Sequence, residues 1–155
     1  GISIHDKGII LECNQGLSEM TGFTQDELIG MNGLLLIDQA WREFVMNKIL
    51  THDEEPYEAV GVRKNGEKYP MRLEARMVPY KGILARTVEF RDITQQKKEE
   101  ELLISQELQL RSLIENLHSG VLFLSKRQEI LQVNRYFCSF FGLKKKPEEL
   151  CFLQQ

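Results

Sequence analysis

The chain of 155 residues has few cysteines, short apolar runs and no strong excess of either charge. Its cysteines, Cys13, Cys138 and Cys151, form no CxxC pair, which argues against a disulfide framework or a zinc site and favours a reducing, cytoplasmic setting. The longest apolar runs, such as Leu34 to Ile37, have four residues and cannot cross a membrane. No signal peptide is recognisable, although the protein could be membrane-attached outside this segment. A net charge of −3 gives no field that would attract nucleic acid or an anionic membrane.

The sequence contains none of the motifs that mark common enzyme classes. There is no GxSxG, HExxH or phosphate-binding loop, and no cluster of His, Asp and Glu has metal-ligand spacing. The stretch HDEE, residues 52–55, consists of consecutive loop side chains that rarely converge, so we interpret it as a solvated charge run. We therefore expect a regulatory module without a catalytic or metal site, and any catalysis would belong to other parts of the protein.

The N-terminal residues predict a hairpin followed by a short helix. Residues 2–6 and 9–14 read as strands on either side of a turn at Lys7-Gly8. The helix after Asn14 stops at Gly22, a plausible C-cap.

Two further helices are predicted before the chain returns to strands. Thr24 and Glu27 form a capping box at the start of the second helix. Asp38 is the predicted cap of the third, which extends to Leu50 and has one apolar face. That face consists of Trp41, Phe44, Val45 and Ile49.

Residues 57–93 predict three more strands. The stretch KNG, residues 64–66, is a strong hairpin signal, and YKG, residues 80–82, marks the next turn. In the strand between them apolar and charged side chains alternate, as in a strand with one buried face. The apolar members are Tyr69, Met71, Leu73, Ala75 and Met77. The order β-β-α-α-α-β-β-β predicts an α+β fold, a five-stranded antiparallel sheet with helices on one face.

Beyond the last strand, residues 95–119 are polar and helix-forming and carry leucines at regular spacing. The stripe advances by three and four residues, the pattern of a coiled-coil seam. Its members are Leu103, Gln106, Leu110, Leu113 and Leu117. A solvated tail would have no reason to keep this spacing. We therefore predict a long linker helix that pairs with a second copy in a homodimer.

The beginning of the chain is repeated near its end. Gly1, Asn14 and Gly22 correspond to Gly120, Asn134 and Gly142, and the intervals differ by a single residue in the hairpin loop. The predicted organisation is therefore a complete domain at 1–94, the linker at 95–119, and a truncated second α+β unit at 120–155.

Four stretches, taken in order, resemble the PAS family of sensory domains. They are Asn14, MTGFTQDELIG at 20–30, RKNGEKYP at 63–70 and RDIT at 91–94. The resemblance covers the first domain in full and the second in part. It implies that a small molecule or a partner binds between the sheet and the longest helix.

The same resemblance implies a place in signal transduction. In this family the end of the last strand, here Asp92, Ile93 and Thr94, passes strain into a helical linker. The linker commonly controls a histidine kinase or a diguanylate cyclase in the same polypeptide. We therefore expect a bacterial-type sensory module. The alternative is a ligand-free structural module that only joins subunits or binds a partner protein.

The residues themselves favour a stiff junction between strand and linker. Asp92 is the predicted N-cap of the linker helix, with Gln95 as its capping-box partner. Because no flexible Gly or Ser intervenes, a shift of the strand would move the helix with little slack.

Flavin and haem are both disfavoured as cofactors. Light-sensing flavin relatives carry a reactive Cys where this chain has Gly33, and a Gln where it has Phe90. Haem needs an axial ligand, which haem-binding relatives carry on the long helix. The histidines of this chain, His5, His52 and His118, lie elsewhere, and we expect each at the surface or in a turn.

What remains is an apolar pocket with unknown contents, or a core filled by its own side chains. Arg86 has the strand parity of Val88 and Phe90, so it either points inward toward a carboxylate ligand or lies at the wet end of the strand. The candidate lining residues are Trp41, Phe44, Val45, Met71, Leu73, Arg86, Val88 and Phe90.

Overall fold

The computed structural model describes residues 1–143, which belong to two units. The first is Gly1–Lys98, and the second begins at Glu99. Cys151 and the last part of the predicted domain at 120–155 lie outside the described residues.

Five strands of the first unit form one antiparallel sheet. They are β1 (Ile2–Asp6), β2 (Ile9–Cys13), β3 (Tyr57–Val62), β4 (Lys68–Tyr80) and β5 (Ile83–Asp92). Their spatial order is β2-β1-β5-β4-β3, so β5, the last in sequence, lies at the centre and pairs with both β1 and β4. The predicted five-stranded α+β fold is confirmed.

Two of the hairpins turn through pairs of residues with positive φ. Lys7 and Gly8 have φ of 48° and 89°, and Lys81 and Gly82 have φ of 44° and 85°. Positive φ at both central residues is the geometry of the two-residue turn that matches the twist of antiparallel strands. A glycine at the second position adopts it without a steric penalty.

The helices lie between β2 and β3 in sequence. They are α1 (Gln15–Thr21), α2 (Gln25–Leu28), two 3₁₀ helices (Gly33–Leu36 and Gln39–Trp41) and α3 (Arg42–Leu50). The capping box of Thr24 and Glu27 is present at the start of α2. The third predicted helix is divided, because Asp38 caps the second 3₁₀ helix and α3 begins only at Arg42.

The predicted alternation along β4 sets the buried face of the sheet. Tyr69, Met71, Leu73 and Ala75 are all buried, while Arg76 is exposed on the opposite face. Apolar side chains of the helical segments and of β2 complete the core on this face. The main ones are Ile10, Leu17, Leu28, Leu36, Ile37 and Val45.

The linker helix α4 (Thr94–Asn116) follows β5 after a single residue. It has 23 residues and ends earlier than the predicted segment, so Leu117 lies just beyond its last turn. None of its side chains is buried. Leu103, Leu110 and Leu113 are each more than half exposed.

The second unit begins within α4 and continues with a hairpin and a helix. These are β6 (Leu122–Leu124), β7 (Ile130–Val133) and α5 (Arg135–Phe140). Asn134 there accepts hydrogen bonds from the backbone of Val121 and Phe137. Asn14 makes the equivalent two bonds, to Ile2 and Leu17, in the first unit. The sequence repeat therefore corresponds to the same local motif, a side-chain amide that joins the start of a hairpin to the helix after it.

Candidate functional site

A cavity of about 400 Å³ lies between α3 and the sheet in the first unit. This volume is within the range of roughly 300–1,000 Å³ that small-molecule sites occupy. Most of its wall is apolar. The sheet contributes His5, Leu73, Met77, Leu84, Arg86, Val88 and Phe90, and α3 contributes Val45, Met46, Ile49 and Leu50.

Five of the eight candidate residues line this cavity, and three do not. Met71 is buried in the core away from its wall. Trp41 and Phe44 are 37% and 42% exposed. Their rings meet edge to face, and Phe44 packs in the same way on Tyr57. The reason is that Trp41 precedes α3, so it does not share the helical phase that turns Val45 and Ile49 toward the sheet. The five that line it are Val45, Leu73, Arg86, Val88 and Phe90.

His5 was expected at the surface or in a turn, and this expectation is wrong. It is 6% exposed, lines the cavity and stacks on Phe90 at 6.2 Å between ring centres. The alternation of β1, in which Ser3 and His5 both point inward, was the available signal. Polar side chains at both positions hid it.

The ring nitrogens of His5 have partners on β1 and in the turn that follows it. Nε2 lies 2.5 Å from Oγ of Ser3, and the ring also bonds the backbone carbonyl of Gly8. A carbonyl only accepts, so Nδ1 carries the proton and Nε2 accepts from the Ser3 hydroxyl. Burial lowers the pKa of His5 to about 4, and the nearby Arg86 charge adds to this, against the Gly8 hydrogen bond. The imidazole is therefore neutral at physiological pH.

Gly33 lies against the His5 ring. A Cβ at this position would lie 2.7 Å from Cε1 of His5. The amide of Gly33 also donates to the carbonyl of Gly8, so the backbone here is tied to the β1–β2 turn. Any side chain at position 33, including the cysteine of photoactive flavin domains, requires the imidazole to move.

Arg86 points into the cavity and is only partly satisfied. It is 5% exposed, and its Nη2 donates to the backbone carbonyl of Asp53 at 2.5 Å. Its Nη1 is buried and has no hydrogen-bond partner among residues 1–143. The Asp53 carboxylate pairs with Lys48 at 2.5 Å instead. The guanidinium therefore keeps an unused donor at the cavity wall.

A second cluster of polar groups forms the junction between β5 and α4. Arg63 pairs with Oδ2 of Asp92 at 2.5 Å, and its guanidinium lies 3.9 Å from the ring centre of Tyr69. Oδ1 of Asp92 accepts from the amide of Thr94 at 2.9 Å. Partial burial alone would raise the pKa of Asp92, but hydrogen bonds from Thr94 and Arg63 hold it below its usual range. Asp92 therefore stays charged, and it is bonded both to the first residue of α4 and to Arg63 in the β3–β4 hairpin.

The observed cap differs from the predicted one by a residue. Because α4 begins at Thr94, Asp92 lies two positions before the helix and bonds its first amide. Ile93, between them, is 3% exposed and donates to the Pro70 carbonyl of β4. The start of α4 is therefore attached to the sheet by a buried side chain and by backbone and side-chain hydrogen bonds.

Residues 1–143 contain no group of three or more His, Cys, Asp or Glu side chains placed to hold a metal ion. Within the same range no helix has the length and hydrophobicity that a bilayer span requires.

Comparison with known families and structures gives consistent results. A family model described as a PAS domain matches residues 1–95, and a second PAS domain model matches residues 108–154. No curated protein matches significantly.

Three solved structures illustrate the likeness. A PAS domain of a protein from Desulfitobacterium hafniense shares 19% identity over 59% of this chain and 90% of its own, with a TM-score of 0.52. A LuxR-family regulator PAS domain from Burkholderia thailandensis, in complex with ethanol, shares 18% over 60% and 88%, with a TM-score of 0.52. The LOV domain of a blue-light activated histidine kinase from Erythrobacter litoralis shares 17% over 60% and 94%, with a TM-score of 0.51. At identities this low, the structural likeness shows that the fold is shared and nothing further.

The contact between Gly33 and His5 predicts that Gly33→Ala destabilises the first unit. The new methyl must displace an imidazole that is hydrogen-bonded at both nitrogens, and overpacking of this kind costs about 1–3 kcal/mol. Gly16→Ala is the matched control, because its Cβ would have no neighbour nearer than 3.6 Å. Urea unfolding followed by Trp41, the single tryptophan, measures both. Equal stability of the two variants would contradict the packing described.

The depressed pKa of His5 predicts that stability falls as the pH drops from about 6.5 toward about 4. In this window the unfolded chain binds a proton that the folded chain does not, so acid favours unfolding by up to about 3 kcal/mol. The pKa of Asp53 is lowered, so the stability that its charged carboxylate contributes is lost only when the pH falls below its ordinary pKa of 3.8.

The measurement is the unfolding free energy as a function of pH. His5→Gln should remove most of the slope between about pH 4 and 6.5, whereas His118→Gln, at an exposed position, should leave it unchanged. An unaltered slope in His5→Gln would show that another group causes the acid sensitivity.

Proposed function

The chain belongs to the PAS domain family, whose members are sensory modules of signalling proteins such as histidine kinases, and from this premise we propose how it relays a signal. In the proposal, the cavity binds a small molecule, and its occupancy reaches α4 through the junction formed by Asp92, Ile93 and Thr94. The observation that carries the proposal is that one strand, β5, both lines the cavity and leads directly into α4.

The short path from cavity to helix supports this relay. Phe90 is in the cavity wall, and only three residues separate it from Thr94, the first residue of α4. Ile93 is anchored in the core, and Asp92 is held by Arg63 from the β3–β4 hairpin. A ligand that displaces Phe90 therefore moves a segment that has no flexible residue to absorb the change.

The exposed leucines of α4 support a homodimer. Contiguous apolar surface on a helix with no buried side chain calls for a partner, and heptad-like spacing fits a second copy of the same helix. We propose that Leu103, Leu110 and Leu113 of α4, together with Leu117 just beyond its last turn, form this seam.

The output would be an enzymatic domain elsewhere in the same polypeptide, of the histidine kinase or diguanylate cyclase type, in a cytoplasmic location.

The ligand is proposed to be neither haem nor a photoactive flavin. Gly33 and Phe90 lack the flavin contacts, and both ring nitrogens of His5 are engaged. The competing function, a ligand-free structural module, predicts no bound molecule in the purified protein, which mass spectrometry after denaturation tests directly.

For the dimer, we expect Leu110→Asp combined with Leu113→Asp to give monomers in analytical ultracentrifugation, because two charges in an apolar seam cannot be desolvated. Ser105→Asp with Ser112→Asp is the control, since it adds the same charge to exposed positions off the stripe. Dimers that survive the leucine changes would assign the contact to another surface.

For the relay, Asp92→Ala in the full-length protein should abolish the dependence of output on ligand. The loss of the cap should cost on the order of 1 kcal/mol and leave the sheet folded. Two glycines inserted after Thr94 should have the same effect, because they add slack and shift the helical phase by about 200°. Seven residues inserted in heptad register should largely restore regulation.

Glu89→Ala, at an exposed position of the same strand, is the control for Asp92→Ala. If Asp92→Ala and both insertions regulate normally, α4 is only a tether and the proposed relay is refuted.

A further inference from the structure

We propose that the cavity recognises a monocarboxylate with an apolar body, and that Arg86 binds its carboxylate. This inference rests on the proposed sensory function and specifies the chemical class of the ligand.

Burial of Arg86 without a carboxylate partner is the first observation. A buried guanidinium is costly unless it is paired and fully hydrogen-bonded. Arg86 is 5% exposed, bonds only one backbone carbonyl, and leaves Nη1 unsatisfied among residues 1–143. A carboxylate in the cavity would supply both the missing acceptor and the counter-charge.

The surrounding charges leave Arg86 available. Asp53, whose carbonyl it contacts, gives its carboxylate to Lys48 and to the amide of Glu55. The carboxylate of Glu54 accepts from the amide of Met77. Asp6 also lines the cavity but forms no ion pair with Arg86. Because Lys48 and Asp53 neutralise each other, and Asp6 and Lys7 of the lining carry opposite charges, the cavity retains the one positive charge of Arg86.

The buried part of the wall around Arg86 favours a ligand with a single anionic group. His5 is neutral and engaged at both ring nitrogens, so it adds no second cation beside Arg86. The other cation of the lining, Lys7, is exposed in the turn between β1 and β2. Val88 and Phe90 follow Arg86 along β5, and Ile49 faces them from α3. An aliphatic or aromatic body fits these side chains, whereas a second carboxylate there would be desolvated without a partner.

The test uses octanoate, with octanamide as a neutral ligand of nearly the same shape. Isothermal titration calorimetry at neutral pH on the full chain should show octanoate binding at least about ten-fold more tightly than octanamide. This factor corresponds to the weak end of a hydrogen bond to a charged group.

Arg86→Gln should weaken octanoate binding by at least about ten-fold and leave octanamide binding within about two-fold. Arg86→Lys, which keeps the charge but loses the planar fork, should be intermediate. Arg76→Gln is the matched control: the same change on the neighbouring strand, on the exposed face of the sheet. Trp41 fluorescence identifies any variant that does not fold.

Each outcome decides the inference. Equal binding of octanoate and octanamide to the wild-type chain would overturn the carboxylate assignment while leaving the cavity a ligand site. Absence of binding by both would also overturn it. The sensory function is judged separately, by the junction variants and by the molecules extracted from the purified protein. Octanoate binding that Arg86→Gln does not change, in a folded variant, would place the carboxylate elsewhere.

Discussion

The pairing of β5 on both sides is the constraint on which the other features of the first unit depend. Because β4 pairs with β5 from Ile83 to Asp92 and β1 pairs with it from Arg86 to Glu89, the face to which each β5 side chain points is fixed. One parity, from Leu84 to Phe90, forms a wall of the cavity. The same register brings Asp92 opposite Met71 and within reach of Arg63. A change of register by one residue would remove the cavity wall and the junction together.

The elements that local chemistry determines could be predicted from the sequence. Strand alternation in β4, the turns at Gly8 and Gly82 and the capping box at Thr24 each depend on residues close together in the chain. The position of Trp41 could not be predicted in the same way. A helical wheel assumes α-helical geometry throughout, whereas Gln39–Trp41 form a 3₁₀ helix with fewer residues per turn that continues directly into α3 at Arg42, so the angular spacing changes there.

The polar part of the cavity depends on contacts between distant segments, which a sequence pattern does not contain. His5 is neutral because burial in the core, together with the nearby charge of Arg86, outweighs the hydrogen bond to Gly8, which favours the charged form. The space for the His5 ring exists only because residue 33, distant in sequence, is a glycine without a Cβ. For Arg86 the sequence allows both an inward position and one at the wet end of the strand, since strand parity gives the face of a residue and not its depth. The loop after α3 brings the carbonyl of Asp53 to the guanidinium and thereby places Arg86 in the buried, inward position.

The energies at the junction limit what the proposed relay can do. A ligand shifts an equilibrium only by its difference in affinity for the two states. A single cap and one partly exposed ion pair contribute on the order of 1 kcal/mol each. The free energy that couples the cavity to α4 is then of the same order as most allosteric couplings, about 1–3 kcal/mol. Coupling of that size changes the populations of two linker states by roughly five- to 150-fold, which suits a graded response.

A near-complete switch would need about 5.5 kcal/mol, more than Arg63, Asp92 and the Ile93 anchor supply in one chain. In a homodimer both subunits would act on one seam, so two such junctions working together would bring the response closer to a switch.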